Sequence, residues 1–96
     1  MTNRDVLALH TNLQLVKTLK GFNLAKAIVL NMKKINEELI EVIREMIKDK
    51  PEKEANIIIE EVLEKHSTIN FITLEDDDIP EDVTVEQYAV LASFLK

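Results

Sequence analysis

The chain has 96 residues, contains no cysteine and carries a net charge of −6. This length predicts one domain, residues 1–96, with a modest core, and no segment approaches the roughly 20 apolar residues that span a bilayer. The lack of cysteine excludes disulfides, thiolate metal sites and cysteine nucleophiles, and it favours a reducing compartment, so we expect a cytoplasmic protein without a membrane partner.

The first predicted element is an amphipathic helix over residues 3–19. Thr2 and, three residues later, Asp5 form a capping-box pattern at its start. Apolar residues then recur at helical spacing: Val6, Leu9, Leu13 and Val16. Gly21 is expected to end this helix as a left-handed cap, and Asn23 to cap the next helix. Such a short connection predicts an antiparallel helical hairpin.

A long central helix is predicted over residues 23–48, and it carries most of the apolar surface. Its apolar residues recur at intervals of three and four: Ile28, Met32, Ile35, Leu39, Val42 and Met46. Two shorter helices do not offer enough surface to cover this stripe, so we expect a homo-oligomer. The residues predicted for its interface are Met32, Leu39, Ile43, Met46 and Phe71.

The rest of the chain predicts two more helices and one short strand, which makes the fold mainly α. Pro51 favours the start of a third helix over residues 52–65, and Thr84 with Gln87 forms a capping box for a short C-terminal helix. Between them, β-branched and aromatic residues at 69–74 indicate a strand. This strand either lies extended across the helices or pairs with its copy in another subunit.

No motif predicts an enzyme, a cofactor or a metal site. The run from Glu75 to Asp78 lacks the alternating carboxylates and the glycine of a calcium loop, so we interpret it as a solvated loop. The two histidines, His10 and His66, have no pattern of a hydrolytic triad around them. We therefore expect a non-enzymatic protein.

Charge is distributed unevenly along the chain. Residues 1–35 contain six basic residues and one acid, for a charge of +5, whereas residues 36–96 have a charge of −11. One interpretation is that the two halves attract each other within or between subunits. The other is an anion site at the start of the long helix, formed by Lys17, Lys20, Asn23 and Lys26. General DNA or RNA binding is disfavoured because the acidic chain would repel phosphates.

Several segments resemble an uncharacterised family of small proteins from tailed phages and prophages of Gram-positive bacteria. They are KGFNLAKAI at 20–28, KKINEEL at 33–39, EEVLE at 60–64 and VLASFL at 90–95. The resemblance spans nearly the whole chain and implies a phage origin, which places the protein in the host cytoplasm. It implies no catalytic residue.

Two functions are consistent with such an origin. In the first, an oligomer of this protein antagonises host defence by binding a nucleotide signal or a host immune protein. In the second, it is a structural or assembly protein of the phage particle, and the long helix is a docking surface.

Overall fold

The computed structural model describes all 96 residues and is mainly helical, as predicted, with no β-sheet. The five α-helices are α1 (Asn3–Asn12), α2 (Phe22–Ile35), α3 (Glu41–Ile47), α4 (Glu52–Glu64) and α5 (Val85–Ala92). Two 3₁₀ turns, Leu13–Val16 and Asp76–Asp78, and one π-helical turn, Asn36–Ile40, complete the regular structure. None of the helices is both long and apolar enough to cross a membrane.

The start of α1 confirms the predicted capping box between Thr2 and Asp5. The α-helix ends earlier than predicted, at Asn12, and tightens into the 3₁₀ turn. Because side chains three residues apart eclipse each other in a 3₁₀ helix, Leu13 and Val16 both point into the core, where they are fully buried.

The connection to α2 differs from the prediction at two residues. Gly21 has a positive φ of 138°, but it is the N-cap of α2 and does not end α1. The prediction that Asn23 caps α2 is wrong, because the helix begins at Phe22 and places Asn23 inside its first turn. Glycine suits this position because the backbone turns there through a conformation that other residues rarely adopt.

The long helix (residues 22–47) consists of α2, the π-helical turn and α3, and it agrees with the predicted span to within one residue at each end. From Asn31 onward its buried positions follow an interval of four: Asn31, Ile35, Leu39 and Ile43. An α-helix has 3.6 residues per turn, so such a series drifts around its surface. The wider π-helical turn takes up the extra residue, and Ile43 rather than Val42 therefore points inward.

The molecule measures 48 × 22 × 21 Å and is built unevenly along its length. At one end, α1 packs on α2 and α4, and α5 packs on the 3₁₀ turn after α1. At the other end, α3 packs against α4, which returns from the turn before Pro51. We call α3 and α4 the distal helix pair. The first two helices belong to a larger lobe, and their predicted antiparallel arrangement stays a prediction.

Residues 69–74 form no β-strand in this chain, and of the two predicted alternatives the structure shows the segment extended across the helices. These residues, which we call the extended segment, lie across α2, and the fully buried side chain of Asn31 holds them there. Its Nδ2 donates to the carbonyl oxygen of Ile72 at 3.0 Å, and the Ile72 N–H donates to its Oδ1 at 2.7 Å. Pairing with a copy in another subunit stays a prediction.

The last part of the chain is fastened to the rest by a few polar contacts. The N–H of Leu74 donates to the Phe94 carbonyl oxygen at 2.7 Å, and Lys96 pairs with Glu75 at 2.7 Å. The predicted capping box of Thr84 and Gln87 is confirmed at the start of α5. These contacts enclose Leu74, Leu91 and Phe94 in the core.

Ion pairs between the basic and acidic halves of the chain are few. Arg4 and Glu60 lie 2.8 Å apart, and Lys33 and Glu37 lie 4.0 Å apart at neighbouring positions of the long helix. All four side chains are more than half exposed. Water and salt screen such pairs, so attraction between the halves contributes little to the stability of the monomer.

Two carboxylates make the stability depend on pH. The backbone N–H of Glu75, and then the Asn23 amide, donate to Asp78 and lower its pKa below the ordinary value. Hydrogen bonds from Thr2 lower the pKa of Asp5 in the same way. A pKa that is lower in the folded state adds stability above the ordinary pKa, and this stability is lost as the pH falls through the folded-state pKa.

We therefore expect the free energy of unfolding, measured in urea, to fall as the pH is lowered from about 6 to about 2. Asp5→Asn and Asp78→Asn should each make this decline smaller. Asp77→Asn is the matched control, because Asp77 accepts none of these hydrogen bonds. If the free energy of unfolding fell equally with pH in all three variants, the pH dependence could not be assigned to Asp5 and Asp78.

Candidate functional site

The predicted anion site at the start of α2 is lined by carboxylates as well as by a lysine. A cavity of about 330 Å³ is bordered there by Lys20, Asn23, Asp77 and Asp78. The Asn23 Nδ2 donates to Asp78 Oδ1 at 3.1 Å, so the amide is already paired with an acidic group. These negatively charged carboxylates lie where an external anion would bind, so they would repel it.

The structure does not bring all four predicted anion-site residues together. Lys17 lines another cavity, of about 300 Å³, with five further residues: Leu19, Ala25, Ile28, Val29 and Met32. Lys26 is exposed on α2 and lines neither cavity. Only Lys20 and Asn23 share a site, and that site also holds Asp77 and Asp78.

The predicted oligomer interface divides into buried and accessible residues. Leu39 and Ile43 are buried in the chain's own core, which removes them from the surface and corrects their assignment. Two features cause this burial. α4 packs on α3, and the π-helical turn sets which residues of the long helix face inward. Phe71 is half-buried against Phe94, with 5.3 Å between the ring centroids, and Met32 is half-buried beside Lys17. Met46 is the most exposed of the five.

The distal helix pair exposes apolar side chains that its two helices do not cover. Val42 is 46% exposed and Met46 is 43% exposed, and they lie one turn apart on the long helix. On α4, Ile57 is 54% exposed. Ile57 was not among the residues predicted for an interface. Three consecutive isoleucines cannot all face one side of a helix. The run at 57–59 therefore indicated that at least one of them is exposed.

The sequence analysis also missed the cavity of largest volume, a groove between α1 and α5. We call it the α1–α5 groove. It holds about 410 Å³, and the small residues Ala8 and Ala89 line it together with Leu9 and Val90. Asp5 and Glu86 are its acidic lining residues, and Met1, which carries the N-terminal amine near Asp5, lines it as well. Its lining residues recur at helical spacing in both helices, but nothing in the sequence pairs the two faces.

The remaining polar groups form no further cluster. No group of three or more histidine and acidic side chains has a geometry that could hold a metal ion. Every buried side-chain nitrogen and oxygen has a hydrogen-bond partner. The accessible features of the molecule are thus its apolar surfaces and its uneven charge.

Comparisons with protein-family models, with curated proteins and with solved structures find no match to this chain. The family resemblance and the phage origin that it implies therefore stay predictions.

Proposed function

We propose that the chain is a non-enzymatic binding protein that contacts a partner protein through the distal helix pair. The observation that carries this proposal is the exposure of Val42, Met46 and Ile57 on α3 and α4, which pack on each other away from α1 and α5. Apolar side chains at such positions contribute binding energy when a partner removes them from water.

The charge around these residues suggests the chemistry of the partner. Within one turn of Val42 on the long helix, Glu38, Glu41 and Glu45 are exposed beside a single exposed base, Arg44, so this border is acidic in sum. An apolar centre with an acidic border is complementary to an apolar surface bordered by lysine or arginine. We therefore favour a basic partner surface over a nucleotide, because Asp77 and Asp78 beside Lys20 disfavour a phosphate group there.

In the phage setting that the resemblance implies, the partner is a host immune protein, and the protein antagonises defence. A structural or assembly role in the phage particle is the alternative. The same surface serves both roles, so the identity of the captured protein distinguishes them.

The test is affinity capture from infected host cells with two matched triple variants. In the distal variant, serine replaces Val42, Met46 and Ile57. In the control variant, serine replaces three residues that are at least as exposed elsewhere: Leu15, Val29 and Tyr88. Circular dichroism first establishes that both variants have the helix content of the parent chain.

We expect the parent and the control to retain one partner and the distal variant to lose it. Equal capture by both variants would reject the distal helix pair as the contact surface. A melting temperature that rises with cyclic or linear nucleotides would instead support the nucleotide hypothesis, because a ligand of the native state stabilises it.

A further inference from the structure

We propose that Phe22 of one copy inserts into the α1–α5 groove of a second copy of this chain, so that the protein associates with itself. This contact is separate from the distal helix pair and goes beyond the proposed function. It also specifies how the predicted homo-oligomer forms.

Phe22 is the inserted group. It is 81% exposed at the first position of α2, whereas the other two phenylalanines, Phe71 and Phe94, pack against each other. A large aromatic side chain gains the most from burial at an interface, and it loses little conformational entropy there. Phe22 is therefore suited to insert into an apolar groove.

The α1–α5 groove has the shape and lining to receive it. Ala8 and Ala89 leave space between the helices because their side chains are small, and buried Leu9 and Val90 give the groove an apolar base. Its volume of about 410 Å³ is sufficient for an aromatic ring and part of the helix that carries it. A helix bearing an apolar anchor is a common occupant of such grooves.

Charge favours a second copy of this chain as the occupant. Lys26 lies one helical turn after Phe22 and forms no ion pair within the chain. On the border of the groove, Glu86 forms no ion pair, whereas Asp5 is hydrogen-bonded to Thr2 and lies near the N-terminal amine of Met1. Insertion of Phe22 thus brings Lys26 towards Glu86, which is a complementary pair, and Lys26 does not line the cavity that holds Asp77 and Asp78.

Phe22 does not enter the groove of its own chain. It lines the cavity at the start of α2 with Asp77 and Asp78, whereas the groove lies between α1 and α5. The two complementary surfaces are thus separate regions of one molecule. Such a head-to-tail contact forms either a closed ring or an open chain of subunits.

The test is sedimentation velocity over a range from low micromolar to millimolar protein. We expect the mass of the parent to rise with concentration. Phe22→Ser should weaken association by about tenfold or more, because it removes the anchor. Ala89→Phe should do the same by filling the groove. The matched control is Val29→Ser, which changes an exposed residue of the same helix and should associate like the parent.

Charge reversal provides an independent measurement. Lys26→Glu and Glu86→Lys should each weaken association, and the double variant should restore most of it. A parent that stays monomeric throughout would overturn the proposal, and so would a Phe22→Ser variant that associates like the parent. Association lost in Val42→Ser but kept in Phe22→Ser would also overturn it, by assigning self-association to the distal helix pair.

Discussion

Asn31→Leu is expected to lower the free energy of unfolding by about 2 to 4 kcal/mol, because it leaves two backbone groups of Ile72 without partners. The asparagine side chain is fully buried and makes one hydrogen bond to the N–H and one to the carbonyl of Ile72. Leucine has a similar volume but neither donates nor accepts. Urea unfolding measures the loss, and hydrogen exchange at the Ile72 amide should accelerate.

The control for this prediction is Asn23→Leu on the same helix. Asn23 is exposed and makes one side-chain hydrogen bond, to Asp78, so its replacement should cost much less. If both variants lost the same free energy, Asn31 would not be the residue that holds the extended segment on α2.

The second prediction concerns the π-helical turn and compares two single-residue deletions. Deletion of Glu38, which is exposed within the turn, should change stability little, because the turn can then close into a regular α-helix. Both halves of the long helix keep their buried faces. Deletion of Lys33 in α2 instead rotates Ile35 out of the core and should cost about 2 to 5 kcal/mol.

Urea unfolding of the two deletion variants against the parent measures the difference. Lys33 is the matched site because it is also charged and exposed on the same helix. Equal losses would mean that the π-helical turn does not adjust the register between α2 and α3. A larger loss of unfolding free energy on deletion of Glu38 than on deletion of Lys33 would lead to the same conclusion about the turn.

The starts of α1, α4 and α5 were predictable because their signals are local, whereas the N-cap of α2 was assigned to Asn23 instead of Gly21. The pairs Thr2 with Asp5 and Thr84 with Gln87 each place a hydroxyl three residues before a side chain that returns the hydrogen bond. Pro51 likewise precedes the helix that the sequence predicts after it. Each of these helix starts depends on a few neighbouring residues, so the fold of the rest of the chain does not move it.

The inward face of α3 was predicted only in part: Ile43 was placed on the apolar face and is buried, but the main apolar stripe was derived for one uninterrupted α-helix. On that assumption Val42 and Met46 continue the buried stripe, and in the structure they are exposed. The constant interval of four from Asn31 to Ile43 was the available signal for a wider turn. The packing of α4 on α3 determines that Ile43, rather than Val42 and Met46, faces inward.

The hydrogen-bond partner of Asn31 could not be predicted from the residues near it in the sequence. Its position on the apolar face of α2 indicates a polar group that must find a hydrogen-bond partner inside the protein. That partner is the backbone of Ile72, 41 residues later. The extended segment thus has strand-like composition, yet a side chain rather than another strand satisfies its backbone at Ile72.

The candidate surfaces were the hardest features to predict. The anion site was inferred from lysines near a helix start, and the acids that line it come from a distant turn, Asp76–Asp78. The α1–α5 groove depends on how two helices from opposite ends of the chain meet. Neither arrangement is encoded within a short window of sequence.

The uneven construction of the molecule has a consequence for its motions. In the larger lobe, α1 and the extended segment pack on α2, and hydrogen bonds from Asn3 hold the C-terminal end of α4 to α1. The tip, formed by α3 and the first turns of α4, is held less: Ile43 is the one buried residue of α3, and α4 has none before Val62. Cooperative units with fewer tertiary contacts open at lower free energy, so the tip can open while the lobe around α2 remains folded. The surface proposed for the partner thus lies on the part of the protein that adjusts its shape most readily.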